Sequence, residues 1–301
     1  MRYVIAALYR FVPLQDVPSL RRELLEKFAP LHLCGTLLLA PEGINGTLAG
    51  SEADTEAMLE ILKQHTGLPR EDVKFSCADE KPFNRLKLRL KREIITFKQP
   101  SADPATLAGT YVDPQDWNAL IDDPDVVLLD TRNKYETMIG SFAGAEDPQI
   151  DTFTEFADYV RAKLDPQQHK KIAMFCTGGI RCEKASAFMR AEGFPAVYHL
   201  KGGILKYLED VAPEQSRWNG ECYVFDRRIA VGHGLTTGRF SMCFTCGNPL
   251  TDADKSHDLY EEGVSCASCH ATTSAEDKAR YRMRHQQIAT RPAPVREIDA
   301  I

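Results

Sequence analysis

The stretch FCTGGIRCEKASAFMR, residues 175–190, sets Cys176 directly after an apolar run and follows it with two glycines, an arginine and a second cysteine. A cysteine so placed can be a nucleophile, a metal ligand or a small buried residue. Gly178 and Gly179 permit tight curvature, including positive φ. The backbone of Thr177, Gly178, Gly179 and Ile180 can therefore curl and aim several N–H groups at one point, with a helix beginning behind them. Amides converging ahead of a helix N-terminus stabilise an anion and depress a thiol pKa. Arg181 adds a fixed positive charge. The expected consequence is a catalytic thiolate at Cys176, with Cys182 as a resolving thiol for any oxidised intermediate. A buried structural cysteine needs neither the glycine pair nor the arginine.

A second constellation lies further on. Cys243-x2-Cys246 and Cys266-x2-Cys269 are separated by nineteen residues. Two such knuckles are a tetrahedral metal signature, and structural zinc is the first reading. A single iron in the same thiolate set is an alternative, and four free thiols are another. His257 and His270 are possible substitutes for a missing ligand, while Cys34, Cys77 and Cys222 read as packing residues. A third pattern is RLKLRLK, in which Arg85, Lys87, Arg89 and Lys91 alternate with Leu86, Leu88 and Leu90. As a strand this puts the leucines on one face and the cations on the other. The cations would either meet RNA phosphates or protect an exposed sheet edge.

The elements that must position these residues follow from periodicity. Residues 1–98 read as strand, helix, two strands around PEG, helix and strand, the βαββαβ order of a ferredoxin-like domain and a candidate tRNA contact. Residues 99–112, rich in Pro, Ala, Ser and Gly, read as a linker. Between 113 and 212 the apolar runs VVLLD, KIAMFC and AVYHL alternate with helical segments, the mark of a parallel α/β sheet. Ligands of such sheets bind beyond the carboxyl ends of the strands, where Cys176 falls. Residues 213–301 read as an irregular cysteine-rich segment with a basic tail.

The chain has 301 residues and a net charge of −6, enough for two or three domains. The acidity is uneven. Residues 81–98 carry seven basic residues against one acidic, and residues 277–301 carry six against three. An acidic protein with two basic patches can still recruit a polyanion. No apolar run nears the roughly 18 residues that span a bilayer, and no export signal is read at the N-terminus. The expectation is a cytoplasmic protein with reduced thiols, in which nine cysteines serve metal binding or catalysis rather than disulfides.

The cysteine loop resembles that of rhodanese domains, which hold a cysteine persulfide. Cysteine phosphatases place arginine six positions after the cysteine, whereas Arg181 is five positions on. LLDTRNKYE, with Asp130, Arg132 and Glu136, resembles the segment that walls the rhodanese site, and Asp130 with Arg132 reads equally as a salt bridge that fixes a loop. HLKGGI resembles the turn before that fold's last helix. LLLAPEGINGTLAG (37–50), DTRNKYE, FCTGGIRCEKAS and WNGECYVFDRRIAVGH (218–233) together resemble the bacterial rhodanese-domain tRNA uridine(34) hydroxylase family over nearly the whole chain. One departure is Ala145-Glu146-Asp147-Pro148, where an asparagine is expected before the proline. The resemblance implies oxygen-dependent formation of 5-hydroxyuridine at the wobble position. It further implies molecular oxygen as co-substrate, the tRNA anticodon region as partner, and an essential Cys176. The residues name no electron donor and no protein partner. Two other readings remain: a sulfurtransferase working through a Cys176 persulfide, and a non-catalytic RNA-binding or regulatory protein.

Overall fold

The computed structural model describes residues 2–290. They divide into two compact units, one reaching to Gly238 and one starting at Arg239, and each is described by itself. In the first, β1 (Tyr3–Phe11), α1 (Val17–Phe28), β2 (Cys34–Ala40), β3 (Gly43–Gly50), α2 (Glu52–Thr66) and β4 (Lys74–Ala78) keep the expected βαββαβ order. The helices begin where the sequence offers caps. Asp16 Oδ1 accepts from Ser19 N at 3.2 Å, and Ser51 Oγ accepts from Asp54 N at 3.1 Å.

The basic strand β5 (Leu86–Leu90) lies at the sheet edge, in the order β4-β1-β3-β2-β5 and parallel to β2. Leu8, Leu37, Ile44, Leu48 and Leu88 pack against Leu24, Phe28, Met58 and Leu62 of the helices. Period-two alternation then turns Ala7, Tyr9, Thr36, Leu38 and Lys74 to the opposite face. Leu90 departs from the expected inward stripe. It is 46% exposed, at the last residue of β5.

Within 99–112, read as a linker, stand α3 (Pro104–Leu107) and β6 (Thr110–Val112). The short β6 joins the parallel sheet β6-β10-β9-β7. The chain then runs through α4 (Pro114–Ile121), β7 (Val126–Asp130), α5 (Lys134–Thr137), β8 (Gly140–Phe142), α6 (Phe156–Lys163), β9 (Lys171–Phe175), α7 (Ile180–Ala191), β10 (Ala196–Leu200) and α8 (Gly203–Asp210). β9 is central and almost wholly buried, as its continuous apolar run requires. β11 (Trp218–Gly220) pairs with β8, and β12 (Cys222–Tyr223) pairs with β13 (Ala230–Val231), so residues 213–238 belong to this first unit.

The second unit contains β14 (Ser241–Met242), β15 (Pro249–Leu250), α9 (Asp252–Lys255), α10 (Ala267–His270) and α11 (Ala275–Ala289). Its core is Cys243, Leu250, Cys266 and Cys269, with Tyr260 against them. Of the expected basic tail, residues 291–301 lie outside the described residues.

Candidate active site

Cys176 follows β9 at its carboxyl end and is fully buried. The loop after it curls as the glycines predict. Gly179 takes φ 101° and donates its N–H to Cys176 Sγ at 3.1 Å. A second turn clamps the loop from behind: Ile204 N donates to Cys176 O and Leu205 N to Thr177 O, both at 3.0 Å. This needs Gly203, where φ is +67° and a Cβ would sit 2.5 Å from Cys176 O.

Burial pushes the Cys176 thiol up. The hydrogen bond from the Cys182 thiol, the Arg181 charge, and the amides of Cys182 and Arg181 outweigh it and hold the pKa at about 6. Cys176 is thus a thiolate at neutral pH. Cys182 is the opposite member of the pair. Burial and the Cys176 charge raise its pKa far above the thiol range, and Thr131 Oγ1 lies 3.6 Å from its sulfur.

Arg181 reaches Glu136 with both terminal nitrogens, at 2.5 and 2.7 Å, and Thr177 Oγ1 donates to the same carboxylate at 3.1 Å. Asp130 and Arg132, expected to wall the site, stand one layer behind it. Both are fully buried, joined by hydrogen bonds of 2.9 and 2.6 Å, and Arg132 also donates to Gly140 O at 2.6 Å. Their reach is spent on closing the 130–140 loop, and neither borders the cavity over Cys176.

That cavity has a volume of about 480 Å³, within the range of small-ligand sites. Its floor is the loop from Cys176 to Arg181, and its roof is the sheet face carrying Ala7, Tyr9, Thr36, Leu38 and Lys74. Tyr135, Phe225 and Arg228 border it too. Arg228 is held by Asp226 and donates to Ser76 Oγ at 2.9 Å, tying the 224–235 segment to β4. Tyr135, Tyr223 and Phe225 form a chain of edge-to-face rings at 5.1 and 5.4 Å, and Phe225 is 56% exposed. An exposed aromatic at a cavity rim can stack a base.

Half-buried polar contacts fasten roof to floor. Tyr9 and Tyr111 donate to the two oxygens of Glu183, at 2.8 and 2.7 Å. Lys184 pairs with Glu42 at 2.9 Å and Glu93 at 2.7 Å. The Lys74 ammonium lies 4.7 Å over the Tyr9 ring, and burial lowers its pKa. Lys87 and Arg89 are lateral neighbours of Thr36 and Leu38, so they lie on the cavity face of the sheet. Arg85 and Lys91 flank β5 and are exposed.

In the second unit, the sulfurs of Cys243, Cys246, Cys266 and Cys269 all lie within 4.8 Å of one another. Three of the separations measure 3.9, 3.7 and 3.8 Å. A tetrahedron with metal–sulfur bonds near 2.3 Å has edges of about 3.8 Å. The four thiols therefore fit one tetrahedral ion. His257 is exposed and, like His270, stands outside this cluster.

Residues 3–94 match the UPF0176 acylphosphatase like domain, and residues 113–210 match the Rhodanese-like domain. Proteins named tRNA uridine(34) hydroxylase from Brucella ovis and Brucella canis are each 54% identical to the chain over 286 residues, covering 95% of it and 94% of each relative. A Brucella suis protein of the same name is also 54% identical, with 93% of its length covered. The chain belongs to the tRNA uridine(34) hydroxylase family.

In this chain an acylphosphatase-like sheet is laid over a rhodanese loop, and the cysteine cluster follows later in the sequence. Sequence reasoning found the loop and the cluster. It missed Tyr9, Lys74 and Lys184, whose only sequence signal was a polar side chain at an odd position of a strand or helix, and it gave no role to Arg228, which stands in a turn within the 218–233 stretch. Among the described residues no helix is long and apolar enough to cross a membrane.

Proposed function

We propose that the protein hydroxylates uridine 34 of tRNA, as its relatives' name states for them, that the hydroxyl enters at C5, and that Cys176 is the reacting sulfur. The observation carrying this reading is a thiolate beneath a cavity that a second domain closes. A base must leave the anticodon stack to enter such a site. Addition of the thiolate to uracil C6 moves the C5–C6 π pair to C5 as an enolate. Oxygen that a two-electron reductant has brought to the peroxide level accepts that pair: one oxygen atom bonds to C5 and the other departs as hydroxide. Loss of the C5 proton then expels the thiolate and restores the ring. The sum is one O2, two electrons and two protons consumed per 5-hydroxyuridine and water.

The enzyme is in this reading an oxygen-dependent oxidoreductase of the cytoplasm, with Arg181 and the loop amides holding the sulfur anionic. Arg85, Lys87, Arg89 and Lys91 contact the anticodon-region backbone, and Cys243, Cys246, Cys266 and Cys269 hold a structural zinc. The loop length of a persulfide-holding domain favours one competing reading, sulfur transfer. Mass analysis of tRNA nucleosides from cells lacking the protein separates them. Loss of 5-hydroxyuridine is expected, loss of a thiolated base would replace hydroxylation by sulfur transfer, and unchanged nucleosides would overturn both.

A further inference from the structure

Six large apolar or aromatic side chains of the first unit stand exposed: Leu25, Leu90, Leu107, Tyr111, Met138 and Phe225. Phe225 alone of the six borders the cavity that contains Cys176. A scattered exposed leucine is ordinary. A phenylalanine left 56% exposed at the mouth of a reactive site is different, because the fold holds it there.

Val224 N donates to Ile229 O at 2.8 Å and Ile229 N to Asp226 O at 3.1 Å, closing Phe225 into a tight turn. The side chains of Asp226 and Arg228 are buried together as an ion pair of 2.6 Å. Tyr223, only 5% exposed, meets Phe225 edge-to-face at 5.4 Å, so the ring is backed while more than half of the residue stays open. Arg227 ties the same turn to the basic stretch. Its N–H donates to Pro82 O at 3.3 Å, and its guanidinium donates to Lys81 O at 3.4 Å and to Asn84 Oδ1. Arg85, Lys87 and Arg89 follow at once in the chain. An aromatic ring beside a row of cations matches the alternation of base and phosphate in single-stranded RNA.

Drawing uridine 34 into the cavity deprives its neighbours in the anticodon loop of a stacking surface, and that loss is a cost of every base-flipping step. We propose that Phe225 takes the place of the extruded uridine and stacks on the base at position 33 or 35. This inference rests on the hydroxylase reading and names what steadies the RNA once its base is in the site. The ring offers no hydrogen bond, so it registers that a base is present and is indifferent to which one.

The test is binding of the full chain to anticodon stem-loop RNAs that are intact, abasic at 33 or abasic at 35. Phe225→Ala should weaken binding of the intact RNA by about five- to a hundredfold, the loss of one base–aromatic stack. On the RNA lacking the stacked base, wild type and Phe225→Ala should bind alike, and exchanging that base for another should change little. Phe225→Trp should bind at least as well as wild type. An unchanged pH midpoint of Cys176 alkylation shows that the alanine variant keeps its loop. Equal binding of the intact RNA by wild type and Phe225→Ala overturns the proposal. So does an equal loss by Phe225→Ala on the intact and both abasic RNAs. A wild-type dimer that the alanine variant cannot form also overturns it, by giving the ring to a second copy of the chain. A wild type that shows the base-dependent loss, yet restores no 5-hydroxyuridine to cells lacking the protein, removes the hydroxylase reading and leaves the stack standing.

Discussion

Arg181, the cation that lowers the Cys176 pKa, is held by both oxygens of Glu136, so Cys176 feels a partly neutralised charge. Removing the carboxylate charge while keeping its shape should unmask Arg181. In Glu136→Gln the Cys176 pKa is expected to fall below its value of about 6. The midpoint of iodoacetamide alkylation against pH reads this directly, and an upward shift would contradict the arrangement. Arg181→Met should act oppositely and also strand a fully buried carboxylate, at a cost of about 3–5 kcal/mol.

The Cys182 thiol donates to the Cys176 thiolate and stays protonated while doing so. Cys182→Ala removes that donor, so the alkylation midpoint of Cys176 should rise. Cys182→Ser should bring it part of the way back. If Cys182 also resolves oxidised sulfur, both variants lose turnover, and only alanine moves the midpoint strongly. Cys176→Ser should abolish 5-hydroxyuridine formation with the fold intact, since a hydroxyl does not ionise near neutral pH.

The depressed Cys176 pKa also makes stability depend on pH. A group whose folded pKa lies below its unfolded value adds stability that is complete above the unfolded thiol pKa. That stability is lost as pH falls through the folded value. The stability difference between wild type and Cys176→Ala should therefore shrink from pH 9 toward pH 6. Urea unfolding at both pH values measures it, and a difference that grew on acidification would reverse the sign assigned here.

The loop chemistry was legible because it is local. A glycine pair, an arginine and two cysteines within seven residues dictate a curl with convergent amides, whatever surrounds them. The cysteine cluster was legible because ligand spacing is itself a local constraint. The cavity roof was not, because Tyr9 and Lys74 reach Cys176 only after two domains pack together, and no periodicity encodes that docking. Even so, strand alternation alone put Lys87 and Arg89 on the face away from Leu88. What it left out was that this face is also the cavity's. Asp130 and Arg132 carried two readings in the sequence, a wall of the site and a salt bridge that fixes a loop. A charged pair beside an active loop reads as a wall, yet complete burial turns its hydrogen bonds inward as a brace.

Lys184 couples the roof domain to the helix that follows the reactive loop. Its ammonium is buried between Glu42 and Glu93, whose side chains remain 29% and 26% exposed. Lys184→Met would leave two half-hydrated carboxylates without their cation, each keeping only backbone N–H donors from 94–98. A loss of about 2 kcal/mol is expected, below the 3–5 of a fully buried pair. For a unit of this size that lowers the melting temperature by roughly 4–8 °C. Calorimetry checks it, and an unchanged melting temperature would make the contact incidental.

Lys87 and Arg89 stand about 6.8 Å apart on a strand, near the phosphate spacing of an extended single strand. The double substitution Lys87→Glu, Arg89→Glu should weaken tRNA binding strongly at low salt. With two fewer phosphates neutralised, the slope of log K against log salt should flatten by about 1.4. The fold should persist, since Leu88 keeps its place in the core. Unaltered affinity and slope would leave these cations guarding a sheet edge.

The second unit cannot be held by apolar burial alone. Three of the four residues in its core cluster are cysteines, and the buried aliphatic side chains among its described residues are Leu250 and Val264. A core that small needs a staple, and four sulfurs at tetrahedral spacing supply one. Elemental analysis of protein purified without added metal should find one zinc per chain. A chelator should strip hydrogen-exchange protection from α11 and expose four further reactive thiols, because metal-binding and folding free energies are the same quantity in such a unit. Cys246→Ser removes the most exposed ligand and should loosen the ion without expelling it from the other three. A fully reduced sample free of zinc and iron, with α11 still protected, would mean the thiols pack as ordinary side chains.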